Sequence, residues 1–228
     1  MRGLLRTDIT EEFCAQYLET LHRQCIAKEI KILYSLVPGQ NGGADPFLTL
    51  PSKIRSGTIP PTATSDCVGT YFRGRGLDRY QPVRFAHIYG GWINCDSMLF
   101  DAIGEKPVTG RGTTEGPRKM FRVASYPRRG VAVVVPARYV LGKKAPGSYG
   151  HIMGVVGYDN SVKNWSAEKG QFIPAWDSMD IECWKRLQVV HCHGGFYGRT
   201  VNAISRESVF SALGKGNRWK TARLVELI

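Results

Sequence analysis

Apolar residues recur every three or four positions between residues 8 and 36, which predicts one long amphipathic helix. Asp8 or Thr10 can cap this helix, because a short polar side chain at that place accepts a hydrogen bond from the first turn. Proline and glycine interrupt the pattern between 38 and 65, and the periodicity is lost. We therefore expect an irregular connection over that stretch.

Two shorter helices and a series of strands are predicted after the connection. One helix is expected at 67–72, with Ser65 or Asp66 as its N-cap, and an amphipathic helix at 92–103. Short apolar runs typical of buried strands follow at 131–135, 152–158, 187–191, 199–204 and 223–228. Helices followed by strands indicate an α+β fold, with N-terminal helices packed on a mainly antiparallel β-sheet.

Composition is that of a folded globular protein. The 228 residues suit one domain with elaborations, and 43% of them are hydrophobic. No apolar run is long enough for a membrane-spanning helix, so no membrane span is predicted. The opening residues become acidic too soon for the apolar core of a secretory signal. We expect no signal peptide.

Charge indicates an anionic partner. The net charge is +12, from 31 Lys and Arg against 19 Asp and Glu. Nucleic acid, a membrane surface or an acidic cell-wall polymer would each attract such a protein. The basic residues are scattered and carry no DNA-binding or RNA-binding signature, which disfavours nucleic acid.

Cys67 is the candidate nucleophile among six cysteines, none of which belongs to a Cys-x-x-Cys pair. It follows the capping residues and precedes Gly69, so its thiol is expected at a helix N-terminus, where the helix dipole favours the thiolate. The alternative is a buried inert thiol, the common state of a free cysteine. Reduced thiols are expected throughout, because the cysteines are too sparse for a disulfide scaffold.

His151 and His191 are the candidate partners of this thiol. His151 opens the apolar strand at 152–158 and can serve as the base. His191 ends the next apolar strand and can fix the orientation of the His151 ring. His193 or Asp159 could serve in place of His191.

A zinc site is an alternative use of the same region, since thiolate and imidazole are ligands that zinc prefers. The candidate ligands are Cys183, His191, Cys192 and His193. Their spacing matches no common four-ligand pattern. We therefore favour the thiol interpretation, which needs neither a metal nor a cofactor.

Four motifs occur in an informative order: Asp-Cys-Val-Gly at 66–69, Pro-Arg-Arg-Gly-Val-Ala-Val at 127–133, Gly-His-Ile-Met-Gly-Val at 150–155 and Val-His-Cys-His at 190–193. They resemble Asp-Cys-Ser-Gly, Pro-x-x-Gly-Asp-Leu-Val, Gly-His-Val-Gly-Ile and apolar-His-Ala-Ser of the NlpC-type cysteine peptidases, papain-like hydrolases of bacterial cell-wall peptides. Residues 91–98 further resemble the bacteriophage version of this fold. The chain departs from the pattern at Val68 and in the long gap between His151 and His191.

The resemblance implies a papain-like NlpC-type domain at 61–228 with an insertion at about 158–186, preceded by a helix and connection at 1–60. It implies that Cys67 attacks an amide of peptidoglycan, as an endopeptidase or amidase, with His151 as base and His191 as orienting group.

The expected setting is a phage lysin or virion-associated wall hydrolase, found in the virion or the bacterial cytoplasm and delivered to the cell wall by other means. The alternatives are a non-catalytic phage structural or wall-binding protein that retains the fold, and a basic nucleic-acid-binding protein.

Overall fold

The computed structural model describes part of the chain, in these ranges: 10–34, 62–75, 95–103, 121–137, 139–140, 143–144, 150–158, 163–166, 171–174, 176–193, 203–214 and 217–227. Most of the predicted irregular connection and Asp159 lie outside the described residues.

The helices of the described residues are α1 (Glu11–Ile26), α2 (Cys67–Gly74), α3 (Cys95–Ile103), α4 (Ile181–Arg186) and α5 (Val209–Leu213), with a 3-10 helix at Arg218–Thr221. The strands are β1 (Lys31–Tyr34), β2 (Thr62–Ser65), β3 (Phe121–Val123), β4 (Ala132–Val135), β5 (Tyr139–Val140), β6 (Lys143–Lys144), β7 (His151–Tyr158), β8 (Lys163–Ser166), β9 (Gln171–Pro174), β10 (Leu187–Cys192), β11 (Ile204–Ser208) and β12 (Arg223–Leu227).

Six strands form the central sheet in the order β11-β10-β7-β4-β12-β3, and each neighbouring pair is antiparallel. The apolar runs predicted as strands at 131–135, 152–158, 187–191 and 223–228 correspond to β4, β7, β10 and β12. The predicted combination of helices with a mainly antiparallel sheet is therefore confirmed.

Helices cover both faces of this sheet. The front face packs against α1, α2 and α3, and its strand residues include Ile152 and Val190. The back face packs against α4, α5 and the 3-10 helix, and its strand residues include Met153, Val155 and Val189. Because successive side chains of a strand point to opposite faces, each strand divides its apolar residues between the two cores.

The first helix ends earlier than its sequence predicts. Thr10 caps it by accepting a hydrogen bond from the Phe13 backbone N–H, as expected, but the helix stops at Ile26. Lys28 then adopts a left-handed backbone with φ of 60°, which a helix cannot continue through. Residues 31–34 form β1, which pairs in parallel with β2, so the prediction of helix to residue 36 was wrong.

Two other segments differ in detail from the prediction. The strand expected at 199–204 is observed at Ile204–Ser208, while 199–202 lie outside the described residues. The described part of the 158–186 region contains the hairpin β8-β9 and helix α4. No helix in the described ranges is long and apolar enough to cross a membrane.

Two arginines of the sequence motif at 127–133 hold α1 against the sheet. Arg129 forms ion pairs with Glu12 and Glu19, at 3.0 and 2.8 Å. Arg128 pairs with Glu11 at 3.2 Å and also with Glu226. Partly exposed pairs contribute little stability individually. They do show that this basic cluster is already neutralised, so it contributes little to attraction of an anionic partner.

Candidate active site

Cys67 is the first residue of α2, directly after a capped turn. The Asp66 carboxylate accepts a hydrogen bond from the Gly69 backbone N–H at 2.7 Å, as an N-cap does. The second turn of α2 is anchored to the loop before β4, because the Tyr71 hydroxyl donates a hydrogen bond to the Gly130 carbonyl at 2.8 Å. The position and capping of this helix therefore agree with the prediction.

The pKa of the Cys67 thiol lies below its ordinary value although the residue is only 5% exposed. A hydrogen bond from the Cys95 side chain lowers the pKa of Cys67, and burial opposes this effect. Backbone N–H groups, foremost that of Ile152, lower the pKa further. The net pKa is below the ordinary value because these donors outweigh desolvation.

Cys14 provides the contrast. It is fully buried in α1, and desolvation raises the pKa of its thiol to about 12. Burial alone therefore produces an inert thiol in this fold, as is usual for a cysteine in apolar surroundings. Cys67 differs from Cys14 in its hydrogen-bond donors rather than in its exposure.

We expect Cys95→Ala to raise the pKa of Cys67, because it removes the side-chain donor that stabilises the thiolate. The rate of Cys67 alkylation by iodoacetamide should then rise with pH at a higher midpoint than in the wild type. Peptide mapping by mass spectrometry at a series of pH values measures this rate. Cys183→Ala, a buried thiol of α4, is the matched control and should leave the midpoint unchanged; equal midpoints in all three proteins would contradict the role of Cys95.

A chain of three polar side chains lies on the back face of the sheet. His151 Nε2 lies 2.7 Å from His191 Nδ1, and His191 Nε2 lies 3.1 Å from a Glu207 carboxylate oxygen. The hydrogen bond from His191 lowers the pKa of Glu207 to about 2, so this carboxylate is ionised near neutral pH. Glu207 was not predicted from the sequence.

The carboxylate fixes the proton positions along this chain. An ionised Glu207 can only accept, so a neutral His191 carries its proton on Nε2 and accepts on Nδ1. His151 must then donate from Nε2, which leaves its Nδ1 as the basic nitrogen.

His151 is also held in its neutral form. Burial lowers its pKa well below the ordinary value, and the neighbouring His191 and Arg218 act in the same direction. A neutral imidazole can accept a proton, whereas an imidazolium cannot. The His151 ring is therefore neutral and able to accept a proton, but its lowered pKa makes it a weaker base than an exposed imidazole.

Cys67 and His151 approach the start of β7 from opposite faces. Cys67 belongs to the front core, and its sulfur accepts a hydrogen bond from the Ile152 backbone N–H. His151 pairs with Val135, a residue of the back core, and turns toward His191. Among the described residues no hydrogen bond joins the His151 ring to the Cys67 sulfur. The structure brings His151 and His191 together but does not make the thiol–imidazole contact.

The spacing between His151 and Gly154 accounts for this placement. In the Gly-His-Val-Gly-Ile pattern glycine follows histidine by two positions, on the same face of the strand, whereas Gly154 follows His151 by three. Gly154 lies on the front face, where a Cβ at this position would lie 2.1 Å from Leu18. Close packing of α1 there fixes the register of β7. His151, at an odd separation from Gly154, therefore faces the back.

The remaining candidates divide between the two faces. His193 lies beside His191, with its Nε2 2.7 Å from the Ser205 hydroxyl. Cys192 turns to the front core, where its sulfur contacts the Ser65 carbonyl. Cys183 lies in α4 near Asp180. The four-ligand zinc set is therefore not assembled, although its two histidines are adjacent.

Comparison with family models, with curated proteins and with solved structures gives no match for this chain.

Proposed function

We propose that the chain is a thiol hydrolase that cleaves an amide bond in bacterial peptidoglycan, within a papain-like NlpC-type fold. The observation that carries the proposal is the position of Cys67 as the first residue of α2, directly after the Asp66 cap, where hydrogen-bond donors lower the pKa of its thiol. A lowered pKa lets the thiol pass its proton to a neighbouring base as its sulfur attacks, which is how a cysteine hydrolase generates its nucleophile. The succession of the cysteine helix and the adjacent antiparallel strands β4, β7 and β10 supports the fold.

In the proposed reaction, the Cys67 sulfur attacks the carbonyl carbon of the amide and His151 takes up the thiol proton. The tetrahedral intermediate collapses as the C–N bond breaks, and His151 returns this proton to the leaving amine. Water then attacks the thioester, which releases a carboxylate and regenerates the thiol. The backbone N–H of Cys67 at the helix start would bind the oxyanion, a contribution of about 2.7–4 kcal/mol per donor.

His151 serves this sulfur through one bridging water in the proposal. The Cys67 sulfur accepts a hydrogen bond from the Ile152 backbone N–H. Because this N–H belongs to the peptide unit that joins His151 to Ile152, the sulfur and the His151 ring flank the same peptide unit. A general base can act through one water as well as directly. His191 and Glu207 are positioning residues, because they hold the ring and its tautomer without touching the reacting atoms.

The substrate class rests on the motif resemblance and on charge. Peptidoglycan is carried in an anionic wall, and a net charge of +12 favours residence there. Peptide bonds of the wall stems and crosslinks also require no metal when a thiolate attacks them. We place the enzyme as a phage lysin or virion-associated wall hydrolase.

Replacing Glu207 with glutamine should lower kcat by about 10- to 100-fold with little change in KM. The variant replaces a charge-assisted hydrogen bond worth about 1.5–3 kcal/mol with a neutral one, and the preferred tautomer is no longer enforced. Steady-state kinetics on a released wall peptide measures both parameters. Glu182→Gln, an exposed glutamate paired with Lys185, is the control for loss of a surface charge. A rise in KM alone would contradict the positioning role.

Digestion of purified sacculi, followed by mass spectrometry of the released fragments, tests the proposed function. We expect fragments with a new amine and a new carboxylate at one type of amide, intact glycan strands, and no release after the protein is treated with iodoacetamide. Sacculi that bind the protein but release nothing would contradict the proposal and favour the wall-binding alternative. Cleavage confined to the glycan strands would also contradict it.

A further inference from the structure

Three side chains that bind transition metals meet on the back face beside His151. One ligand atom from each of His191, His193 and Glu207 lies within 4.8 Å of the other two. His191 lies in β10 and His193 is the first residue after that strand, and their rings stack with centroids 5.0 Å apart. Glu207 comes from the neighbouring strand β11 and completes the group.

The paired strands hold these ligands in place. His191 lies opposite Ser205 in the antiparallel ladder between β10 and β11, and Glu207 lies two residues further along the same face. The His191 side chain is 2% exposed, whereas the Glu207 side chain is 28% exposed. One ligand is therefore fixed within the protein, and the carboxylate can adjust at the side from which a cation would enter.

Two imidazoles and one carboxylate form a ligand set that zinc uses when it keeps a fourth position for water. Zinc bonds of about 2.0–2.2 Å in a tetrahedron place neighbouring ligand atoms roughly 3.3 Å apart. His191 Nε2 and the nearer Glu207 oxygen are already 3.1 Å apart. Only His193 must move closer, and its present contact with Ser205 is a single hydrogen bond.

We propose that His191, His193 and Glu207 form a zinc-binding site, and that zinc bound there suppresses the reaction of Cys67. Zinc binding by these three residues does not depend on the proposed function, whereas suppression of the Cys67 reaction rests on it. No residue of the site belongs to the front core that contains the thiol, so zinc acts through His151 rather than on the sulfur.

Zinc reverses the hydrogen bond between the two histidines. A metal on His191 Nε2 uses the lone pair of that nitrogen, so the ring proton must reside on Nδ1. Nδ1 then donates to His151 Nε2 across the 2.7 Å contact, and the proton of His151 moves to its own Nδ1. Each ring keeps one proton, Glu207 stays ionised, and His151 no longer presents a basic nitrogen to the thiol.

Isothermal titration with zinc in a Cys67→Ala background tests the site without any contribution from the nucleophilic thiol. We expect His193→Gln in this background to bind zinc about 100-fold more weakly or worse, since even loss of an outer partner costs 10- to 100-fold. His193→Cys, which keeps a zinc ligand, should retain binding. His22→Gln, a histidine on α1 distant from the cluster in sequence, should bind as tightly as the background protein. Equal affinity in the His193→Gln protein would overturn the proposal.

The effect on the thiol is measured in protein that retains Cys67, as the rate of iodoacetamide labelling and of wall-peptide release over a range of free zinc. Each variant is compared with its own rate in chelator. We expect zinc to slow the wild type at least tenfold, and His193→Gln to require far more zinc for the same slowing.

The outcomes separate the two proposals. Zinc that slows His193→Gln and the wild type alike would act on the sulfur directly, which overturns the inferred coupling, as would zinc that accelerates release. If the chelated protein cleaves no wall amide while zinc still binds through His193, the proposed function fails and the zinc site stands.

Discussion

Replacing Cys67 with alanine is expected to lower the rate of peptide release from sacculi by about 10⁴-fold or more. In the proposed reaction the variant removes the atom that forms the thioester, and loss of a nucleophile in a hydrolase costs up to about 10⁶ in kcat. The side-chain donor Cys95 and backbone N–H groups lower the pKa of Cys67 below its ordinary value, which favours this thiol as the nucleophile. Mass spectrometry of released peptides, with a fluorescently labelled sacculus as a rate assay, covers this range.

Cys25→Ala is the matched control for this experiment. Cys25 is 6% exposed against 5% for Cys67, so both variants remove one nearly buried thiol. Cys25 lies near the end of α1, on a different helix from Cys67, so its replacement should leave the rate nearly unchanged. Retained activity in Cys67→Ala would refute the thiol mechanism, and equal losses in both variants would indicate a folding defect.

Replacing Gly130 with alanine should lower the free energy of unfolding by about 2–5 kcal/mol. Gly130 has a φ of 85°, where an L-residue loses about 1–2 kcal/mol. An added Cβ would also lie 1.8 Å from the Glu11 backbone oxygen, so α1 must move away from the sheet, and overpacking costs about 1–3 kcal/mol more. Urea denaturation measures the loss. The Tyr71 anchor on the Gly130 carbonyl should weaken at the same time.

Gly214→Ala separates the cost of the backbone conformation from the cost of the steric clash. Gly214 has a φ of 70°, but a Cβ there would meet nothing within 4 Å. Its replacement should therefore carry the backbone penalty without the clash, and destabilise the protein less than Gly130→Ala. Equal losses at the two glycines would show that α1 yields to the added methyl group at little cost.

Structural features that depend on residues close together in the sequence could be predicted. The cap of α2 joins Asp66 to Gly69, three positions apart, and the helix begins at Cys67 as predicted. The apolar runs of β4, β7 and β10 are buried on both faces, so their composition alone indicated strands.

Structural features that depend on contacts between segments far apart in the sequence could not be predicted. The residues of β1 fit helical spacing, but their strand depends on pairing with β2, about 30 positions away in the sequence. Glu207 belongs to no motif and lies in a strand whose predicted position was too early. The face of His151 depends on the register that Gly154 adopts against Leu18, which is a packing effect between segments remote in sequence.

The position of β12 inside the sheet has a consequence for synthesis of the protein. β12 pairs with β4 on one side and with β3 on the other, although it follows both of them by many residues. Until residues 223–227 leave the ribosome, the valine-rich edge of β4 has no partner on that side. An unpaired apolar edge is prone to pair with other chains. The nascent protein therefore carries an aggregation-prone edge from the synthesis of β4 until the synthesis of β12, which then covers it.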